Sequence, residues 1–105
     1  MKQTHQEMIA IELENAKRKH PKFCNGMTTD TLPHVKSCLR DVRKNADASG
    51  MADDILNEEY LEAMTEYLEG RLQHCLVELA QCGAVVLRMM EFVQAEIDAK
   101  KAGAE

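Results

Sequence analysis

Tryptophan is absent from this chain, and phenylalanine and tyrosine contribute two residues each, so aromatic rings cannot build its interior. Seven methionines stand against them, which leaves Leu, Val, Ile, Met and Ala to fill a core. These side chains favour helices over strands more than an aromatic-rich set would. Also missing is any long block of Lys or Arg to offset the formal charge of −5, which disfavours binding to a nucleic-acid backbone. The longest apolar-looking stretch, Cys75 to Val93, is broken by Glu78, Gln81, Arg88 and Glu91 and is therefore not a membrane span. The first residues, MKQTHQEMIAIELENAK, lack the apolar segment and cleavage site of a signal peptide. The expected setting is thus cytoplasmic, where the four cysteines stay as free thiols. Cys75 and Cys82, seven residues apart, fall on one helical face and are expected in the core.

With only two prolines, few breaks interrupt the helical pattern, and the length of 105 residues fits a single domain spanning 1–105. Thr4 and Glu7 form a capping-box pattern ahead of a first helix at about 4–20, which Pro21 stops. A second helix is expected at 31–45, with Pro33 in its first turn and Leu32, Val35, Leu39 and Val42 as its apolar stripe. NADASGM should end it, and Ser49 should cap a third helix at 52–69, closed by Gly70. Its apolar side carries Leu56, Tyr60, Leu61, Met64, Tyr67 and Leu68, while Glu58, Glu59, Glu62, Glu66 and Glu69 gather opposite. A fourth helix follows at 71–100. The expected fold is all-α, a four-helix bundle. The middle of the fourth helix is apolar around most of its circumference, so it is expected to be covered either by a central place in the bundle or by a second copy of the chain. Oligomerisation is the expected consequence.

Glu78 and Gln81 interrupt that apolar segment three residues apart, and Glu59 and Glu62 repeat the spacing on the third helix. An antiparallel hairpin about Gly70 sets the pairs opposite each other, because Glu62 and Glu78 both lie eight residues from it and Glu59 and Gln81 eleven. Three carboxylates and an amide oxygen make a hard, oxygen-rich site for Mg²⁺ or Mn²⁺. Such ions bridge phosphates and help to generate a hydroxide nucleophile. Glu66 and Glu69 read instead as solvated surface. Arg88, on the Gln81 side of the fourth helix, is the candidate contact to a phosphate chain, with Lys17, Arg18, Lys19 and Lys22 as further cations. His20, Cys24, His34 and Cys38 can be drawn as a zinc site, but their spacing matches no zinc pattern, and they read as loop and core residues. No Walker loop, nucleophile elbow or dinucleotide fingerprint occurs, so the nucleophile of any hydrolysis must be water.

The stretch from Asp54 to Val93, with its EE-x-x-E segment, a short gap containing Gly and then E-L-x-Q-x-x-x-V, resembles the core of MazG-like pyrophosphohydrolases, especially small phage-type members. The resemblance covers about 40 of the 105 residues. It implies four-helix units assembled as homo-dimers or homo-tetramers, in which an E-x-x-E…E-x-x-D set holds Mg²⁺ while water cleaves a nucleoside triphosphate to the monophosphate and pyrophosphate. Glu59 and Glu62 match the first pair and Glu78 the third acid, and these three are the catalytic candidates. Gln81 stands where the resemblance implies aspartate, so the metal set Glu59, Glu62, Glu78 and Gln81 carries one negative charge fewer. The alternative from another class is a noncatalytic helical oligomer that uses the same bundle for assembly or partner binding.

Overall fold

The computed structural model describes residues 3–104, with the side chain of Ala104 left aside, and among them every regular element is an α-helix. The helices are α1 (His5–Lys19), α2 (Leu32–Ser49), α3 (Ala52–Leu68) and α4 (Leu72–Ala104). None is long and apolar enough to cross a membrane. The chain groups into two compact units, one running from Thr28 to Met89 and the other holding the described residues before and after it.

In the second of these, α1 begins with the expected capping box. Thr4 Oγ1 accepts from the Glu7 N–H and Glu7 Oε1 accepts from the Thr4 N–H, both at 3.1 Å. Two of the N–H groups that a helix start leaves unpaired are thereby satisfied. The apolar residues Met8, Ile9, Ile11 and Leu13 all remain exposed. Lys17, Arg18 and Lys19 occupy the last turn, where the helix dipole favours positive charge.

The unit from Thr28 to Met89 is built on α2 and α3 with the first half of α4. Asp30 organises the entry to α2: its carboxylate accepts from the Thr31 N–H at 2.8 Å and meets His34 Nδ1 at the same distance. Pro33 sits in the first turn, as expected. Val35, Leu39 and Ala46 are buried, and Val35 joins Ala63 and Met64 of α3 and Cys75 of α4 in one core cluster, flanked by Leu61 and Leu68.

The expected break at NADASGM does not occur before Gly50. Ala46 is buried, and that packing outweighs the low helix propensity of Asn45, Asp47 and Ser49, so α2 runs on to Ser49. Gly50 ends it in the left-handed region at φ 64°. Nor does Ser49 cap α3. Met51 takes the cap position, while Ser49 Oγ accepts from the Met51 N–H at 3.2 Å and donates to Asp54 at 2.8 Å, bracing the link from outside.

Gly70 turns the chain between α3 and α4 at φ 79°. Its N–H donates to Tyr67 O at 3.0 Å and the Arg71 N–H donates to Glu66 O at 2.9 Å. This pair of bonds is a Schellman motif, and the positive φ is why glycine is needed there. The hairpin that follows fixes which residues of α3 meet which of α4.

Candidate metal centre

The acidic side of α3 is not its solvent face. Tyr60 and Tyr67 are exposed, whereas Glu58, Glu59, Glu62, Glu66 and Glu69 are each only partly accessible. Ala63 and Met64 set the phase, since their burial at 0% and 2% exposure turns the flanking glutamates toward α2 and α4. On α4, Cys75 lies in the core and Glu78, one turn on, faces the α3 glutamates.

Glu59, Glu62 and Glu78 each offer a carboxylate oxygen, and these oxygens lie within 4.8 Å of one another. Among the described residues this is the one cluster of three or more such ligand groups. Gln81 closes it. With the amide nitrogen assigned to the carboxylate side, because the opposite orientation faces oxygen to acceptors, Gln81 donates to Glu78 Oε2 at 2.8 Å and to Glu59 Oε2 at 2.9 Å. The four residues paired by counting outward from Gly70 are therefore brought together.

Charge crowding marks the cluster. Partial burial holds the Glu59 carboxyl above the ordinary glutamate value, and the neighbouring Glu62 and Glu58 carboxylates push it further. Glu78 is raised by partial burial first, then by a hydrogen bond with Glu62 that needs a proton on one of the two carboxyls, then by the charges of Glu62, Glu59 and Glu66. Glu58 is raised in the same way by partial burial and by Glu62. Burial also raises the thiols of Cys75 and Cys82, and the glutamate charges add to it, so both sulfurs stay protonated and are poor ligands. Oxygen donors alone are available, which fits a hard divalent cation.

Cations border the glutamates. Arg43 of α2 reaches Glu62 Oε1 at 3.4 Å, and both line a small cleft of about 160 Å³ with Leu39, Thr65, Glu66 and Glu78. Glu66 and Glu69 are not the free surface carboxylates expected from sequence. Arg71 donates to Glu66 Oε1 at 2.9 Å and reaches Glu69 at 2.8 Å, and Lys36 reaches Glu69 at 3.2 Å. The bond from Arg71 holds the Glu66 carboxyl below its ordinary value.

Of the other sequence candidates, Arg88 is exposed on α4 and does not line the cleft that Glu62 and Glu78 share. Lys17, Arg18, Lys19 and Lys22 lie in the other unit, where Lys17 pairs with Glu14 at 3.7 Å. His34 and Cys38 do share a helical face, 3.7 Å apart, but His34 is engaged by Asp30 and no further ligand joins them within their unit. The stripe Lys36, Arg40, Arg43 and Lys44 on α2 was passed over in the sequence. Its signal was present in the spacings of Lys36 to Arg40, Arg40 to Arg43 and Arg40 to Lys44, four, three and four residues, which keep cations beside one another along a helix. Comparison with protein-family models, curated proteins and solved structures finds no match to the chain.

Proposed function

We propose that the chain is a Mg²⁺- or Mn²⁺-dependent hydrolase that converts a nucleoside triphosphate to the monophosphate and pyrophosphate, acting as a homo-oligomer of the MazG-like type. The observation that carries this reading is the approach of three partly buried carboxylates, Glu59, Glu62 and Glu78, to within 4.8 Å of one another. Like charges this close repel unless a proton or a cation lies among them. Glu59, Glu62 and Glu78 would hold the cation, with Gln81 turning its amide to offer oxygen. A divalent cation bound there would neutralise phosphate charge and activate water. A carboxylate oxygen of Glu59 or Glu78 left free of the cation would take the proton from an attacking water.

Assembly is supported by α4. Leu72, Leu76 and Val77 are 62%, 63% and 56% exposed. Ala80, Gly83 and Ala84 extend the exposed surface along the helix. A second copy would bury this surface.

A second reading, a noncatalytic oligomer, is favoured by Gln81 itself. Its two donated bonds satisfy Glu78 and Glu59 without any ion. Pyrophosphate release from a panel of ribo- and deoxyribonucleoside triphosphates with Mg²⁺ or Mn²⁺ separates the two. Turnover that Glu62→Gln abolishes supports the hydrolase. Absence of turnover across the panel, from parent and Gln81→Asp alike, supports the second reading.

A further inference from the structure

A groove of about 560 Å³ runs between α2 and α3 beside the glutamate cluster, lined by Lys36, Arg40, Arg43, Lys44 and Arg71 together with Leu39, Thr65 and Glu66. Five cations line it against one carboxylate, on a chain whose formal charge is −5. Local charge is thus opposite to global charge, which calls for an explanation other than solubility. Intramolecular pairing accounts for part of it, since Lys36 is taken by Glu69, Arg43 by Glu62, and Arg71 by Glu66 and Glu69. Arg40 and Lys44 have no carboxylate within ion-pair distance among the described residues. They are neighbours one turn apart on α2, and like charges at that spacing destabilise a helix unless something negative lies between them.

Arg43 lines both this groove and the small cleft that holds Glu62 and Glu78, so the two hollows share a wall. Its weak hold on Glu62, at 3.4 Å, leaves it able to turn from that carboxylate to an anion in the groove. A linear anion with several charges, one end near the glutamates and the other between Arg40 and Lys44, would satisfy every unpaired cation. Arginine forks and a lysine ammonium are the usual partners of phosphate oxygens.

We propose that this groove binds the triphosphate chain of a nucleoside triphosphate, with Arg40 and Lys44 as its principal phosphate contacts and Arg43 passing from Glu62 to the chain on binding. The identity of the ligand rests on the hydrolase reading above, but capture of the anion by the groove needs no metal, so the two are tested separately.

The test is calorimetric titration of the full chain in EDTA with inorganic tripolyphosphate, a deoxyribonucleoside triphosphate and a single-stranded oligonucleotide. Each is repeated on Arg40→Gln/Lys44→Gln and on Lys100→Gln/Lys101→Gln, which loses the same charge elsewhere. The parent is expected to bind tripolyphosphate and the nucleotide, the groove variant to bind both about tenfold or more weakly, and the control like the parent. Helicity of both variants, altered only at exposed positions, should match the parent, and the groove variant should melt no lower than the parent because it loses two like charges one turn apart. No binding of tripolyphosphate by the parent, equal loss in the two double variants, or tighter binding of the oligonucleotide than of the nucleotide would overturn the proposal. Binding of tripolyphosphate without the nucleotide would overturn it as well. Titration with Mn²⁺ distinguishes the two readings: Mn²⁺ binding retained in the groove variant supports separate sites, whereas failure of the parent to bind Mn²⁺ removes the metal reading and leaves the groove.

Discussion

The Gln81 amide nitrogen lies 2.8 Å from Glu78 Oε2, so a neutral side chain on α4 bonds the carboxylate one turn before it and, at 2.9 Å, Glu59 on α3. It does the work in the metal-free protein that a cation would do in a charged one. Gln81→Asp replaces two donated bonds with a fourth negative charge. The metal-free variant is expected to melt lower than the parent, by an amount equivalent to about 0.5–1.5 kcal/mol, the net worth of a hydrogen bond at an exposed side chain where water competes. Mn²⁺ should reverse the loss and bind more tightly than to the parent, since ligand charge sets much of the affinity for a hard cation. Melting curves with and without Mn²⁺ check both halves, and equal melting temperatures for parent and variant in EDTA would contradict the bonding described here.

A second prediction follows from the raised carboxyls. A glutamate whose folded pKa lies above its unfolded one binds more protons folded than unfolded across the interval between them, so stability falls as pH rises through that interval. Glu59 and Glu78 therefore favour the folded chain below the ordinary glutamate range and withdraw that support as pH climbs above it. Glu66 and Asp30, both lowered by their partners, act in the opposite sense at more acid pH, losing stability as pH falls. Glu78→Gln should leave metal-free stability at neutral pH unchanged or improved, and should flatten the decline between mildly acid and neutral pH. A variant that melts lower than the parent at neutral pH would show that the Glu78 charge is not repelled.

Much of this site was legible in the sequence because one glycine fixed the geometry. Counting outward from Gly70 paired Glu62 with Glu78 and Glu59 with Gln81, and the Schellman turn makes that count hold in space. Thr4 with Glu7 and Pro33 were legible for the same local reason. What failed depended on neighbours. Glu66 and Glu69 looked like free surface because the pattern of α3 alone cannot reveal that Arg71 and Lys36 stand beside them. Asn45 to Ser49 looked like a break because propensity says nothing of the burial of Ala46. The basic stripe of α2 was passed over because apolar Val35 and Leu39 carried the helical signal on the same turns.

Metal binding at crowded, partly protonated carboxylates must release protons. The raised positions of Glu59 and Glu78 mean that, just above the ordinary glutamate range, part of the population is protonated before a cation arrives. Mn²⁺ should accordingly bind more weakly as pH falls, and the heat of binding should change with the ionisation enthalpy of the buffer. Glu62→Gln should weaken binding by about tenfold or more, since removing even an indirect support of a ligand costs that much. Binding heats identical in two buffers of different ionisation enthalpy at mildly acid pH would mean that the cation sits elsewhere.

The exposed side of α4 supplies the last test. Leu72, Leu76, Ala80 and Gly83 recur at spacings of four, four and three, which keeps them along one face, and Leu76 is 63% exposed. Glu78 points away from this face into the glutamate cluster and Cys75 lies on the flank that enters the core, while the face itself stays exposed within its own unit. Covering the 63% of Leu76 that is still exposed contributes about 1–2 kcal/mol in each copy, and a symmetric pair counts it twice. Leu76→Lys puts two ammonium groups into that contact, where a desolvated charge without a partner is costly. The parent is expected to sediment at micromolar concentration as a dimer or larger, and Leu76→Lys as a monomer with unchanged helicity. Mn²⁺ titration of the same variant adds a control, because the glutamate cluster lies within one unit of one chain and should bind the ion in the monomer too. A parent that sediments as a monomer would remove assembly from the proposed function and leave the glutamate cluster to be judged alone.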